Sequence, residues 1–245
     1  MTFRFIFWTV LVCLLVSGTA GWIFYGEREP DPEQQAIEAH KVALEAERRA
    51  AEAGGVEEWT RYARSLVTGP QRFRDPKEAM TWYRKAADKG YASAQVGIGD
   101  LYAGGLGVRE DHYRAQEWYS TATRLSRNAE AYFKVGEGYF RGLGAPQDYG
   151  AALPYYQVAA EQGHPVAQYL IGSMFEAGWG IERDLISAWV WYKQALPSAD
   201  VIAAHEETYK VEHALKRTET QMNRSQLDVA RKRFAAIYGV SGNRG

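Results

Sequence analysis

The chain has 245 residues, 46% of them hydrophobic and 24% charged, a balance that suits a folded globular protein and excludes wholesale disorder. Lys and Arg number 29 against 30 Asp and Glu, and a net charge of −1 argues against a dedicated nucleic-acid binder, which is usually far more basic. The one cysteine, Cys13, can make neither an intrachain disulfide nor a multi-cysteine zinc site.

The first element is apolar. Residues Phe5 to Tyr25 carry no charge over 21 positions. A helix of that size is about 31 Å long, enough to cross a hydrocarbon core of roughly 30 Å. Trp8 sits near one end, Trp22 and Tyr25 near the other, where amphipathic rings favour the membrane–water boundaries. Arg4 and the terminal amine precede the run, while Glu27, Glu29, Asp31 and Glu33 follow it with Arg28 the only nearby cation. The positive-inside bias keeps the N-terminus cytoplasmic and exports the rest. We read residues 1–26 as one N-terminal transmembrane anchor and 27–38 as an acidic juxtamembrane linker. A cleaved signal peptide is the rival, since Gly18-Thr19-Ala20 offers small residues before Gly21, but apolar residues resume at Trp22. Cys13 follows Val12, where a lipid-attachment signal wants a small residue, and is read as an apolar filler.

Beyond the linker the chain repeats itself. Asp75, Asp111, Asp148 and Asp184 are spaced by 36, 37 and 36 residues, and each opens a segment of one kind. Each aspartate sits where a helix should begin, its carboxylate able to accept from first-turn N–H groups. Pro76 follows at the first helical position and Glu78 completes an Asp-x-x-Glu capping box. Ala79, Tyr83 and Ala86/Ala87 form one helix face; Ala115, Tyr119 and Ala122 repeat it, as do Ala152, Tyr156, Ala159/Ala160 and Ala188, Tyr192, Ala195. Gly90 and Gly163 end this helix. A second helix carries Ala94, Ile98 and Tyr102, then Ala131, Val135 and Tyr139, then Ala167, Ile171 and Phe175, each at spacings of four. Gly99, Gly136 and Gly172 lie in register on it, and a mid-helix glycine costs about 1 kcal/mol against alanine, so neighbouring backbones are expected to pass close there. Glycine pairs close it: Gly105 and Gly107, Gly142 and Gly144, Gly178 and Gly180. One such hairpin cannot bury its face alone; stacked hairpins can.

The A-x-x-W-Y-x-x-A-A-x-x-G run at Ala79–Gly90 and the G-x-x-Y-x-x-G-x-G-V run at Gly99–Val108 resemble the Sel-one-like repeat, a branch of the tetratricopeptide-repeat superfamily. The resemblance covers residues 75 to about 196 and implies an all-α, right-handed α-solenoid of helical hairpins with repeats of about 36 residues. The units read as 75–110, 111–147 and 148–183, with a half repeat and covering helix at 184–222. Repeat two departs at Thr123 and Ser126; repeat three has Tyr155 in place of tryptophan, and Pro154 within its first helix should kink it. Residues 39–74 keep Ala43, Ala50, Ala51, Gly54 and Gly69 in register and read as a degenerate capping repeat, or else as a free spacer helix. Helix 185–196 is apolar nearly all round and needs covering, for which a helix from about Val201 to Arg217 is expected. A capping helix over 223–239 begins at Asn223, closed by Gln226, and 240–245 is a flexible tail.

No chemistry stands out. The glycine loops lack the Gly-Lys-Ser/Thr of a nucleotide loop. His40, His112, His164, His205 and His213 are scattered, and His205 and His213 miss the i, i+4 spacing of a zinc helix. No catalytic residue, cofactor or metal is assigned, and no nucleic acid or small-molecule substrate is expected. Residues 27–60 carry net −6 and residues 208–245 net +5, which reads first as solvated helix faces and second as a means of steering partners. The resemblance implies protein–protein binding, with the first helices of each hairpin lining a concave surface. The positions free to vary there include Arg84, Gln116, Ser120, Gln157 and Lys193. Trp179, in a loop, is read as an interface anchor, and Trp189 as buried. The function expected is a non-enzymatic scaffold or adaptor in the bacterial inner membrane, with its repeats periplasmic and binding protein partners in the cell envelope. A structural subunit of a larger membrane machine and a cell-wall-active enzyme are the alternatives. The bacterial setting comes from the resemblance alone.

Overall fold

The computed structural model describes residues 31–239. The apolar run Phe5–Tyr25, the linker up to Pro30 and the 240–245 tail lie outside the described residues. Among the described residues no helix is long and apolar enough to cross a membrane. The chain divides into two compact units, Met1–Glu45 and Ala46–Gly245. Apart from Asp31, the described residues of the first belong to α1 (Pro32–Ala53), and every other described helix lies in the second.

Among the described residues the structure is helical, without strands. The helices of the second unit are α2 (Val56–Thr68), α3 (Pro76–Ala87), α4 (Ala92–Ala103), α5 (His112–Leu125), α6 (Ala129–Arg141), α7 (Tyr149–Glu161), α8 (Pro165–Ala177), α9 (Leu185–Ala195), α10 (Ala199–His205), α11 (Val211–Gln221) and α12 (Arg224–Tyr238). The four repeat aspartates are all N-caps: Asp75 accepts from Lys77 and Glu78 N–H, Asp111 from Arg114, Asp148 from Ala151, and Asp184 from Ile186 and Ser187. Glu78 does not close a box; it accepts instead from Tyr62 Oη (3.2 Å) and Trp82 Nε1 (3.3 Å), so it ties α3 to α2. α7 runs through Pro154 from Tyr149 to Glu161 without interruption.

The packing sets the phase of the repeat. α4 packs much more extensively on the α5 that follows than on the α3 that precedes it, and the same holds for α2 with α3, α6 with α7 and α8 with α9. One hydrogen bond recurs in every hairpin: the N–H of Asp75, Asp111, Asp148 and Asp184 donates to the carbonyl of Leu66, Tyr102, Tyr139 and Phe175, at 2.9, 2.9, 2.9 and 3.0 Å. The helix that the sequence pattern places second therefore opens each hairpin. α2, α4, α6 and α8 are first helices, and α3, α5, α7 and α9 second helices.

Glycine and tyrosine pack together within three of the four hairpins. A Cβ on Gly99 would lie 2.3 Å from the Tyr119 ring, and one on Gly136 or Gly172 would lie 2.8 Å from Tyr156 or Tyr192. The glycines admit a ring face, where the sequence pattern leads one to expect a neighbouring backbone. The loop glycines serve the joint between repeats. Gly144 has φ +73° and its Cβ would strike the His112 carbonyl at the start of α5; a Cβ on Gly180 would meet the backbone of Gly150 at the start of α7. The loop of one hairpin thus sits against the second helix of the hairpin before it.

The single covering helix expected over Val201–Arg217 is two. The break is a turn in which Tyr209 N–H donates to the Glu206 carbonyl (2.9 Å) and the Tyr209 ring stacks on Tyr169 (centroids 4.8 Å apart). It lets α10 lie on α8 through the fully buried Ile202 while α11 lies on α9 through Val211 and Ala214. α12 also covers α9. It is capped by Asn223 with Gln226 and stopped by left-handed Gly239. Trp189 is buried between these elements and donates to Glu219 Oε1 (2.9 Å).

Candidate interaction surface

Along the stack, α2 lies against α4 and α4 against α6, while α6 and α8 are no closer than the second helices are to one another. We take the side that these first helices present as the inner face. A stripe of α6 spaced for one helix face faces that side: Glu130, Lys134, Glu137 and Arg141. Lys134 Nζ lies 3.6 Å from Asp100 on α4 and 3.8 Å from Glu130. His164, the N-cap of α8, accepts the Ala167 N–H at Nδ1 (3.2 Å). Its ring proton is then on Nε2, 3.2 Å from Glu130 Oε2, to which it donates. Arg141 Nε is 3.3 Å from Glu137 Oε1, and His205 Nε2 of α10 is 3.7 Å from that same oxygen. Phe133 supports both imidazoles, stacked on His164 at 4.2 Å and edge-on to His205 at 5.5 Å.

The charges tune one another. Burial raises the Asp100 carboxyl above its usual range, against the opposing pull of Lys134 and the Tyr119 hydroxyl. Burial also works to raise Glu130, but the His164 bond and Lys134 overcome it and leave its pKa lowered. Burial disfavours the Lys134 ammonium, and Asp100 and Glu130 more than restore it. Further along, Glu176 accepts from Arg217 at 2.6 and 2.7 Å and from Tyr192 Oη at 2.7 Å. Among the described residues no group of three or more His, Cys, Asp or Glu side chains is placed to hold a metal ion.

The residues proposed from sequence lie elsewhere. Arg84, Ser120, Gln157 and Lys193 occupy one register on the second helices α3, α5, α7 and α9. Arg84 and Gln157 are exposed; Ser120 and Lys193 are half-buried. Gln116 presents no surface: it is buried, and its amide donates to the Val135 carbonyl (3.2 Å) between α5 and α6. Trp179 is 41% exposed, stacked on Tyr149 at 5.6 Å and edge-on to Phe140. The α6 stripe escapes sequence reasoning that phases the hairpins one helix late. Its signal is present in the sequence, as four charged residues at i, i+4, i+7 and i+11.

An extended inner face of paired charges and aromatic rings, built on serial hairpins, defines an α-solenoid of the protein-binding kind. The Sel1 repeat profile matches residues 61–91, 92–126, 129–164 and 165–196, more than half of the chain, with units in the phase that the packing gives. The chain belongs to the Sel1 repeat family. It is similar to c5321, a protective antigen of uropathogenic Escherichia coli with an SLR fold: 26% identity over 90% of this chain and 46% of that one, TM-score 0.65. A Sel1 repeat protein from Oxalobacter formigenes is 27% identical over 77% of this chain and 76% of that one, TM-score 0.58. Chitin synthase regulatory factor 3 of Schizosaccharomyces pombe is 34% identical over 130 residues, which are 51% of this chain but only 14% of that protein. Sel1 repeat proteins act as protein-interaction scaffolds.

Proposed function

We propose that this chain is a membrane-anchored scaffold that assembles or regulates a bacterial cell-envelope complex, binding protein partners along its first helices. The observation that carries the reading is the inner face itself: Asp100, Glu130, Lys134, Glu137 and Arg141 form a continuous polar row, with solvent-accessible edges, spanning two hairpins. A preformed row of this kind binds an extended segment with little loss of its own freedom. Trp179 adds an exposed aromatic anchor at the loop edge. The row Arg84, Ser120, Gln157 and Lys193 on the second helices is the rival face.

The uncharged run Phe5–Tyr25, with cations before it and acids after it, supports a single-pass inner-membrane anchor with the repeats in the periplasm. Photo-crosslinking residues placed in the full chain at Lys134, Gln157 and Lys193, in native membranes, test the face. Adducts are expected at position 134; adducts at 157 and 193 alone would move binding to the second helices. Ser17, Gly18 and Gly21 support a second reading, a subunit held laterally in a membrane machine. That reading requires adducts to vanish when the run is exchanged for another apolar helix.

A further inference from the structure

The tyrosine of each second helix ends on polar atoms of its own hairpin, with one exception. Tyr119 Oη donates to Asp100 (2.8 Å), and Tyr192 Oη donates to Glu176 (2.7 Å) with Ser173 at 3.1 Å. Tyr156 occupies the same register on α7. It is fully buried, yet its hydroxyl has no hydrogen-bond partner among the described residues. A buried hydroxyl without an acceptor is costly, and native proteins seldom keep one without a use.

The α6 residue in the register of Asp100 is Glu137, which lies 3.3 Å from Arg141 and 3.7 Å from His205. Asp100 and Glu176 each take a cation and a tyrosine hydroxyl together, whereas Glu137 takes no bond from Tyr156. Glu137, Arg141 and Tyr209 are the polar groups around the hydroxyl, and Tyr209 comes from the turn between α10 and α11. A carboxylate from outside reaches this fully buried hydroxyl only if its surroundings move aside.

We propose that the Tyr156 hydroxyl is a reserved donor for a carboxylate supplied in trans, from an acidic side chain of an extended polypeptide lying along the first helices. The flanking hairpins supply the template, since both place a carboxylate against the equivalent hydroxyl. Arg141, already 3.3 Å from Glu137, is the cation beside the hydroxyl. The inference rests on the scaffold reading and deepens it.

The test uses the full chain in detergent micelles and three capped alanine pentapeptides. One has a central glutamate and an amidated C-terminus, one a central glutamine and an amidated C-terminus, and one no acidic side chain but a free C-terminus. Tyr156→Phe is expected to leave Tm unchanged or raised, because it removes an unpaired group, whereas Tyr119→Phe lowers it. The glutamate peptide should bind more tightly than the other two, and Tyr156→Phe should weaken it about tenfold while Tyr119→Phe does not. A fall in Tm for Tyr156→Phe equal to that of Tyr119→Phe, or its failure to fold, would overturn the proposal, since the hydroxyl would then be satisfied internally. So would equal binding of the glutamate and glutamine peptides. Preference for the free C-terminus would overturn the side-chain source. None of these outcomes touches the crosslinking test of the scaffold.

Discussion

Adding a methyl group at Gly99 should destabilise the repeat through one ring. The Cβ of Gly99→Ala would lie 2.3 Å from Tyr119 Cε1, against an ordinary carbon–carbon contact of about 3.5–4.0 Å, so the ring must move by more than about 1 Å. It has little room, being 5% exposed, and its hydroxyl is pinned to Asp100 at 2.8 Å. Overpacking of this kind costs about 1–3 kcal/mol, and a weakened bond to a charged acceptor adds about 1.5 kcal/mol. Alanine returns about 1 kcal/mol through helix propensity. The net loss is about 1.5–3.5 kcal/mol. In a Tyr119→Ala background the same methyl group meets no ring, and the sign should reverse to a gain of about 1 kcal/mol. Urea unfolding of the full chain in micelles, followed by circular dichroism for wild type, both single variants and the double variant, gives the coupling, expected at about 2.5–4.5 kcal/mol. Gly172 with Tyr192 provides an independent copy of the cycle. Additive effects within about 0.5 kcal/mol at both pairs would refute the argument that these glycines exist to seat the rings.

Other perturbations follow from the same geometry. Asp148→Ala removes the acceptor of the Ala151 N–H at 2.9 Å and should cost about 1 kcal/mol by denaturant titration, with Asp148→Asn nearly neutral. Gly163→Ala should cost about 1 kcal/mol although nothing lies within 4 Å of its Cβ, because φ there is +85°; Gly163→Asn should recover part of it. For Glu176, burial pushes the carboxyl up, but bonds from Arg217 and Tyr192 overcome it and hold the pKa below the usual 4.5. A depressed folded-state pKa contributes stability above that usual value and loses it as pH falls through the lowered one. Arg217→Ala should therefore cost about 1 kcal/mol at neutral pH, and the gap to wild type should close as the pH falls below about 4, read as Tm against pH.

The elements are legible because each repeats a strong local signal. Aspartate caps, alanine faces and left-handed glycines act within a few residues, so spacing alone places Asp75, Asp111, Asp148 and Asp184 at helix starts. The break at Glu206–Lys210 is not legible, since the stretch is polar enough to continue a helix. What interrupts it is distant: the Tyr209 ring finds Tyr169, and Ile202 finds α8. Glu78 misleads for a like reason. The box is the local solution, and Tyr62 and Trp82, from two different helices, offer the carboxylate better donors.

The phase of a cyclic pattern is a harder matter, and the candidate surface turns on it. Any 36-residue window of a periodic sequence contains two helices and two loops, so nothing local says which pair is the hairpin. The aspartates are the loudest mark and draw the boundary, yet a helix cap says only where a helix starts and nothing of its partner. The deciding quantity is shared burial: Tyr119, Tyr156 and Tyr192 lie on Gly99, Gly136 and Gly172, each twenty residues earlier. That spacing is in the sequence as a bulky residue and a missing side chain at constant separation. Read as complementary shapes, it pairs α4 with α5 and moves the inner face from Gln116 and its neighbours to Asp100, Lys134 and Glu137. Each hairpin from α4 to α9 is then a tyrosine seated on a glycine. A change that reseats the ring, such as Gly136→Ala under Tyr156, should disturb the inner face beside it before it unfolds the stack. Crosslinking yield at position 134 should fall in that variant at temperatures where its helix content is intact. Equal loss of both signals would mean that ring seating and the inner face are independent.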